Sequence, residues 1–181
     1  MKTIIFSITT LLAGLLSFAK NQNESVNTNA IYKTTIIQTS FSTSEIIKGY
    51  ITIKNALVKS DSKTTTQTAE NLEVVLNSMN VSQLTATQKT AWDKIVAAAI
   101  KQTKAIASNN GKLDKQRKAF QQLSNTIYEL VTTFGTTQKL YQDFCPMYEG
   151  GSIWLSETKD IKNPYYGAQM LTCGKLKETI E

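Results

Sequence analysis

The sequence has no histidine, and it has only two cysteines and two prolines among 181 residues. Without an imidazole it lacks the commonest general base and the usual ligand of zinc and Cu(II) sites. Cys145 and Cys173 do not form a C-x-x-C pair, so a thioredoxin-like redox role has little support. There is no phosphate-cradling glycine loop and no G-x-S-x-G elbow. Glu149, Glu157 and Asp160 sit at no spacing that fixes a carboxylate pair. The expectation is a protein that is not an enzyme, with no catalytic residues.

Charge is also unconcentrated. The net charge is +6, but the lysines are scattered and no basic stretch is interleaved with aromatics, which argues against a nucleic-acid partner. No apolar run reaches the roughly 20 residues that span a bilayer. The longest, Ile4 to Phe18, follows Lys2 and ends in Ser17-Phe18-Ala19, with small residues where a signal peptidase reads. Residues 1–19 are therefore expected to be a signal peptide cleaved near Ala19. The remainder is expected to be exported, periplasmic or beyond, with no stable membrane insertion. Both cysteines stay in the mature chain, and an oxidising compartment favours pairing of an even count.

What is present is helical periodicity. Residues 20–41, rich in Asn, Thr and Ser, read as a mostly flexible leader, with Ile36, Ile37 and Phe41 adding an extended segment or a helix start. From Ser42 the apolar spacing becomes that of a helix, with Ser42 and Glu45 placed as a capping box. Ile46, Ile47, Tyr50, Ile53, Leu57 and Val58 share one face. After "KSDSK" a second stripe runs through Ala69, Leu72, Val75, Leu76 and Met79. Thr85 and Gln88 form a second box ahead of Trp92, Ile95, Val96, Ala99, Ile100 and Ile106. "SNNGK" is a turn, and a fourth helix is expected over 113–134 with Phe120, Leu123, Ile127, Leu130, Val131 and Phe134 inward and Gly135 as its stop. Four helices with short connections predict a mainly α fold, an antiparallel four-helix bundle. Periodicity ends at Gly135. Residues 136–181 are expected to form a small irregular lobe with short strands near 140–144 and 153–155, packed on the bundle as part of one domain, 42–181.

The tail "YQDFCPMYEGGSIWLSETKDIKNPYYGAQMLTCG" (141–174) carries C-P-M at Cys145-Pro146-Met147, W-L-S at Trp154-Leu155-Ser156, and I-x-N-P-Y-x-G-x-x-M-L-x-C-G from Ile161 to Gly174. Together with "YITIKNALVKSD" (50–61) and "DKQRKAFQQLS" (114–124), it resembles a bacterial envelope family of unknown function. The likeness spans roughly residues 45 to 181, and "YEGGSI" departs from the family's smaller-residue version of that loop. The resemblance implies a stand-alone exported relative of segments fused to periplasmic adaptor subunits of heavy-metal efflux pumps. An envelope protein such as an efflux adaptor is then the expected partner, and soft-metal handling the expected role.

Four sulfurs, on Cys145, Met147, Met170 and Cys173, make a candidate soft-metal set, for which Cu(I) is the fitting ion. The competing reading joins Cys145 to Cys173 as a disulfide, worth about 3.5 kcal/mol by loop closure, with the methionines as core filler. The chain is then a disulfide-stapled helical interaction module with no metal role. Asn163-Pro164-Tyr165-Tyr166-Gly167 is a turn signal. Trp154, Tyr165 and Tyr166 are candidates for a partner surface, with Trp154 alternatively a plug that seats the tail on the bundle.

Overall fold

The computed structural model describes residues 41–181. The expected signal peptide at 1–19 and the expected leader up to residue 40 lie outside the described residues. Phe41 itself packs edge-on against Trp92 at 5.1 Å and tilted against Phe134 at 5.4 Å, so the last residue of the expected leader packs against the core.

Four helices follow: α1 (Ser44–Val58), α2 (Ser62–Ser78), α3 (Ala86–Ala107) and α4 (Leu113–Phe134). Each packs on the next, and α1 also meets α4. The expected stripes supply the buried core: Ile46, Ile47, Tyr50, Ile53 and Leu57 from α1, with Leu72, Trp92, Ile95, Phe120, Leu123 and Ile127 from the others. Val58, Val75, Met79, Val96, Ile100 and Phe134 are only partly buried, because they flank each stripe rather than centre it. No single helix of this length is stable in water, so burial of these faces against one another holds the bundle.

The capping chemistry is partly as expected. Thr85 and Gln88 form the reciprocal box at the start of α3. Asp61 caps α2, accepting from the Thr64 N–H at 2.9 Å. The box expected from Ser42 and Glu45 does not form. Thr43 is the N-cap of α1, and its hydroxyl donates to the Gly135 carbonyl at 2.9 Å, while Ser42 pairs with Ser44. A tertiary acceptor at the end of α4 has displaced the local one. Gly135 stops α4 with φ of 81° and its N–H on Val131 O at 2.9 Å.

The tail forms a three-stranded antiparallel sheet with β1 (Leu140–Cys145) central, flanked by β2 (Ser152–Ser156) and β3 (Lys175–Ile180). Asp143 lies opposite Trp154 and Cys145 opposite Ser152. The third strand was not expected from sequence. Its residues are exposed along nearly the whole length, so no buried face leaves an apolar mark. A register shift in the β1–β3 pairing falls at Gln142/Asp143.

Candidate functional site

The two cysteines meet. Cys145 closes β1, fully buried, and Cys173 lies just before β3, partly exposed; their sulfurs are 3.5 Å apart as free thiols. Each is held by its own framework. Ser152, opposite Cys145, accepts from Gln121 of α4 at 2.9 Å and donates to the Tyr148 carbonyl at 2.9 Å. Cys173 donates its N–H to Met170 O at 3.0 Å, and its carbonyl accepts from Asn163 Nδ2 at 2.7 Å.

Asn163 organises this corner. Fully buried, it also donates its N–H to Leu171 O at 2.8 Å and accepts at Oδ1 from the Tyr165 N–H at 2.8 Å. The Asn-Pro-Tyr-Tyr-Gly turn is therefore the bracket that carries Cys173 toward Cys145. Arg117 of α4 fastens the turn to the bundle, donating from Nε to Pro164 O at 3.1 Å and from Nη2 to Ser60 Oγ at 3.0 Å. Gly167, at φ of 57°, lies where any Cβ would meet the Val58 carbonyl at 3.0 Å and Ser60 Oγ at 2.9 Å. The hydrogen bond between the two sulfurs raises the Cys173 thiol above its ordinary value, and burial adds to the effect.

The other two sulfurs of the candidate set belong to exposed residues. Met147 is 62 % exposed and Met170 37 %, and neither thioether is hydrogen-bonded to a thiol. Among the described residues, no group of three or more His, Cys, Asp or Glu side chains is arranged to hold a metal ion.

The expected partner surface is also not a surface. Trp154 is fully buried and Tyr165 nearly so, which leaves Tyr166 half-buried. The rings of Trp154, Tyr165, Phe120 and Tyr50 run in series between sheet and helices, at 5.9, 6.0 and 5.2 Å. Trp154 seats the tail. Tyr165 stacks on Tyr148 at 4.4 Å and donates its hydroxyl to the Ile153 carbonyl, so it cannot face a partner.

Sequence reasoning missed a polar cluster beneath β1 and β2. Tyr50 sits in an apolar stripe, yet its buried hydroxyl pairs with Ser124 Oγ at 2.8 Å and accepts from the Leu155 N–H at 3.0 Å. Lys54 is 1 % exposed and donates to Glu157 Oε2 at 2.7 Å and Ser156 Oγ at 3.3 Å. Asp143 is fully buried, and neither carboxylate oxygen has a hydrogen-bond partner. Burial pushes its carboxyl up to about 7, against the pull of Lys54. The indole N–H of Trp154, across the strand pair, is likewise unpartnered. Only the polar letters inside buried strands hinted at this, and a strand's period does not say which polar side chains are covered. Of the glutamates and aspartate singled out in the tail, Glu157 pairs with Lys54 and accepts from Asn55 Nδ2 at 2.9 Å, Glu149 pairs loosely with Lys118, and Asp160 is exposed.

Residues 46–139, over half of the chain, match the family described as Protein of unknown function (DUF3347). The chain belongs to that family. The DUF3347 match covers nearly the whole bundle and stops before β1, so the tail that carries both cysteines lies outside it. No curated protein and no solved structure matches the chain. Among the described residues, no helix is long and apolar enough to cross a membrane.

Proposed function

We propose that this protein is a non-enzymatic accessory of the bacterial envelope whose working part is the Cys145–Cys173 thiol pair, held on a helical scaffold. The role is to hold or pass a soft monovalent ion such as Cu(I) alongside a heavy-metal efflux system. One observation carries the reading: two thiols 28 positions apart in sequence lie 3.5 Å apart in space. Paired thiolates are soft donors that select Cu(I) over oxygen-preferring ions. Cys173 is partly exposed and gives an ion a way in, while Cys145 supplies the buried side of the site. Met147 and Met170, exposed and within three residues of the cysteines in sequence, serve as thioether hand-off donors. The motif resemblance of the tail supports the envelope and efflux setting. Export through cleavage near Ala19 and docking on an efflux adaptor belong to the same proposal.

The same proximity favours a second reading, in which the pair closes into a disulfide and the protein serves as a stapled interaction module. A Cu(I) titration of the reduced mature protein separates the two. The metal reading expects one tight equivalent in the wild type that vanishes in the Cys145→Ser/Cys173→Ser double variant. Equal weak binding by both proteins ends it and leaves the staple.

A further inference from the structure

The two sulfurs differ in access. Cys145 has no exposed surface, enclosed at the end of β1 opposite Ser152 and bound into the core. Cys173 is partly exposed and precedes Gly174. Thiol–disulfide exchange needs a thiolate to approach a disulfide sulfur in line, so access decides which sulfur meets a partner. We propose that Cys173 is the attacking sulfur and Cys145 the resolving sulfur of an exchange with the disulfide of a partner protein. This rests on the thiol-pair reading above and adds a direction to it.

The surroundings of Cys173 suit a protein partner. Met147, Met170, Leu171 and Leu176 are exposed apolar side chains, each within three residues of one of the two cysteines. Exposed apolar side chains of this kind offer contact to a docking chain.

The exchange balances without another reactant. The Cys173 thiol, which the neighbouring Cys145 holds above its ordinary value, must first give up its proton to solvent, and its thiolate then attacks one sulfur of the partner disulfide. That S–S bond breaks, one partner sulfur leaves as a thiolate with the electron pair, and a mixed disulfide forms at Cys173. Cys145, already 3.5 Å away, loses its proton and attacks the Cys173 sulfur. The mixed disulfide breaks, the second partner sulfur leaves as a thiolate, and the Cys145–Cys173 bond forms. Two electrons pass from this protein to the partner disulfide, whose two thiolates take up the two protons. In the oxidised state neither sulfur remains a thiolate, so the exchange also withdraws the soft-ion donors.

Dithiobis(nitrobenzoate), an aromatic disulfide that releases a coloured thiolate, tests the order on reduced full-length protein. The wild type is expected to release two equivalents and retain no adduct by intact mass. Cys145→Ser is expected to release one and keep the adduct on Cys173. Cys173→Ser is expected to react at least about tenfold more slowly while folded, and as fast as Cys145→Ser once unfolded in denaturant. Should either variant fail to fold, early-quenched wild type digested to peptides gives the same answer, with adduct on the Cys173 peptide ahead of the Cys145 peptide. Equal native rates for the single variants, early adduct on Cys145, or two stable adducts on the wild type would each overturn the assignment. Cu(I) affinity is read separately, so loss of the exchange order leaves the ion-binding reading standing, and the reverse holds too.

Discussion

Asp143 shows how one residue can be set against its own charge. Its carboxyl is raised from an ordinary value of 3.8 to about 7 by burial, so the folded state binds that proton more tightly than the unfolded chain does. Between those values the native protein holds more protons, and its stability falls as pH rises through the folded value. Denaturant melts of the wild type should therefore show stability decreasing from pH 5 to pH 8. Asp143→Asn should flatten that slope and be more stable than the wild type at pH 8 by roughly 1–3 kcal/mol. An unchanged slope in the variant would contradict the burial argument. Lys54 makes the complementary case. Its ammonium is covered, whereas Glu157 is partly in water, so removing the anion strands a buried cation. Glu157→Gln should cost about 1–3 kcal/mol, and Lys54→Met less, since the glutamate left behind can be hydrated. Chemical denaturation of the two variants in parallel checks the order. Neither residue was legible in the sequence: Lys54 lies between apolar positions of an amphipathic helix, where a lysine normally reaches out to solvent.

At the scale of elements, the helices were readable and the tail only partly so. The fourth helix was legible to the residue because its apolar spacing, the preceding turn and Gly135 agree. The start of α1 was not, since Thr43 finds its partner on Gly135, 92 residues away, and no local pattern encodes such a bond. Thr85→Ala, which removes a formed box, should lower stability by about 1 kcal/mol, while Ser42→Ala, at a box that does not form, should change it by a few tenths. Thermal melts of both variants test the distinction, and a larger loss from Ser42→Ala would reverse it. The Asn-Pro-Tyr-Tyr-Gly turn was visible as a turn, but its work as a bracket was not, because the Cys173 carbonyl that it holds comes ten residues later. Asn163→Ala should cost about 2–3 kcal/mol in lost hydrogen bonds. It should also slow closure of the cysteine pair, read as the rate of thiol loss under mild oxidant. Normal closure in a folded Asn163→Ala protein would remove Asn163 from its positioning role.

Across the whole molecule, the bundle serves as a base on which the tail is pinned at several points. Arg117 holds the turn, Tyr50 bonds β2, Gln121 bonds Ser152, and Trp154 and Tyr165 are driven into the aromatic row. Those pins come from α1 and α4, which explains how a tail of short strands stays ordered without a core of its own. The sequence made the pairing of its two cysteines a candidate from their count and expected compartment. Their approach depends on β1, the Asn163 bracket and the seating of Trp154 acting together. That convergence is the central claim, and both the ion-holding and the exchange readings depend on it. Intact mass after mild oxidation and alkylation tests it most directly. The account predicts a monomer lighter by roughly two mass units, with no alkylated thiol, from a protein that alkylates at both cysteines when reduced and unfolded. A monomer that stays doubly alkylated after oxidation, or covalent dimers in place of the internal bond, would contradict it.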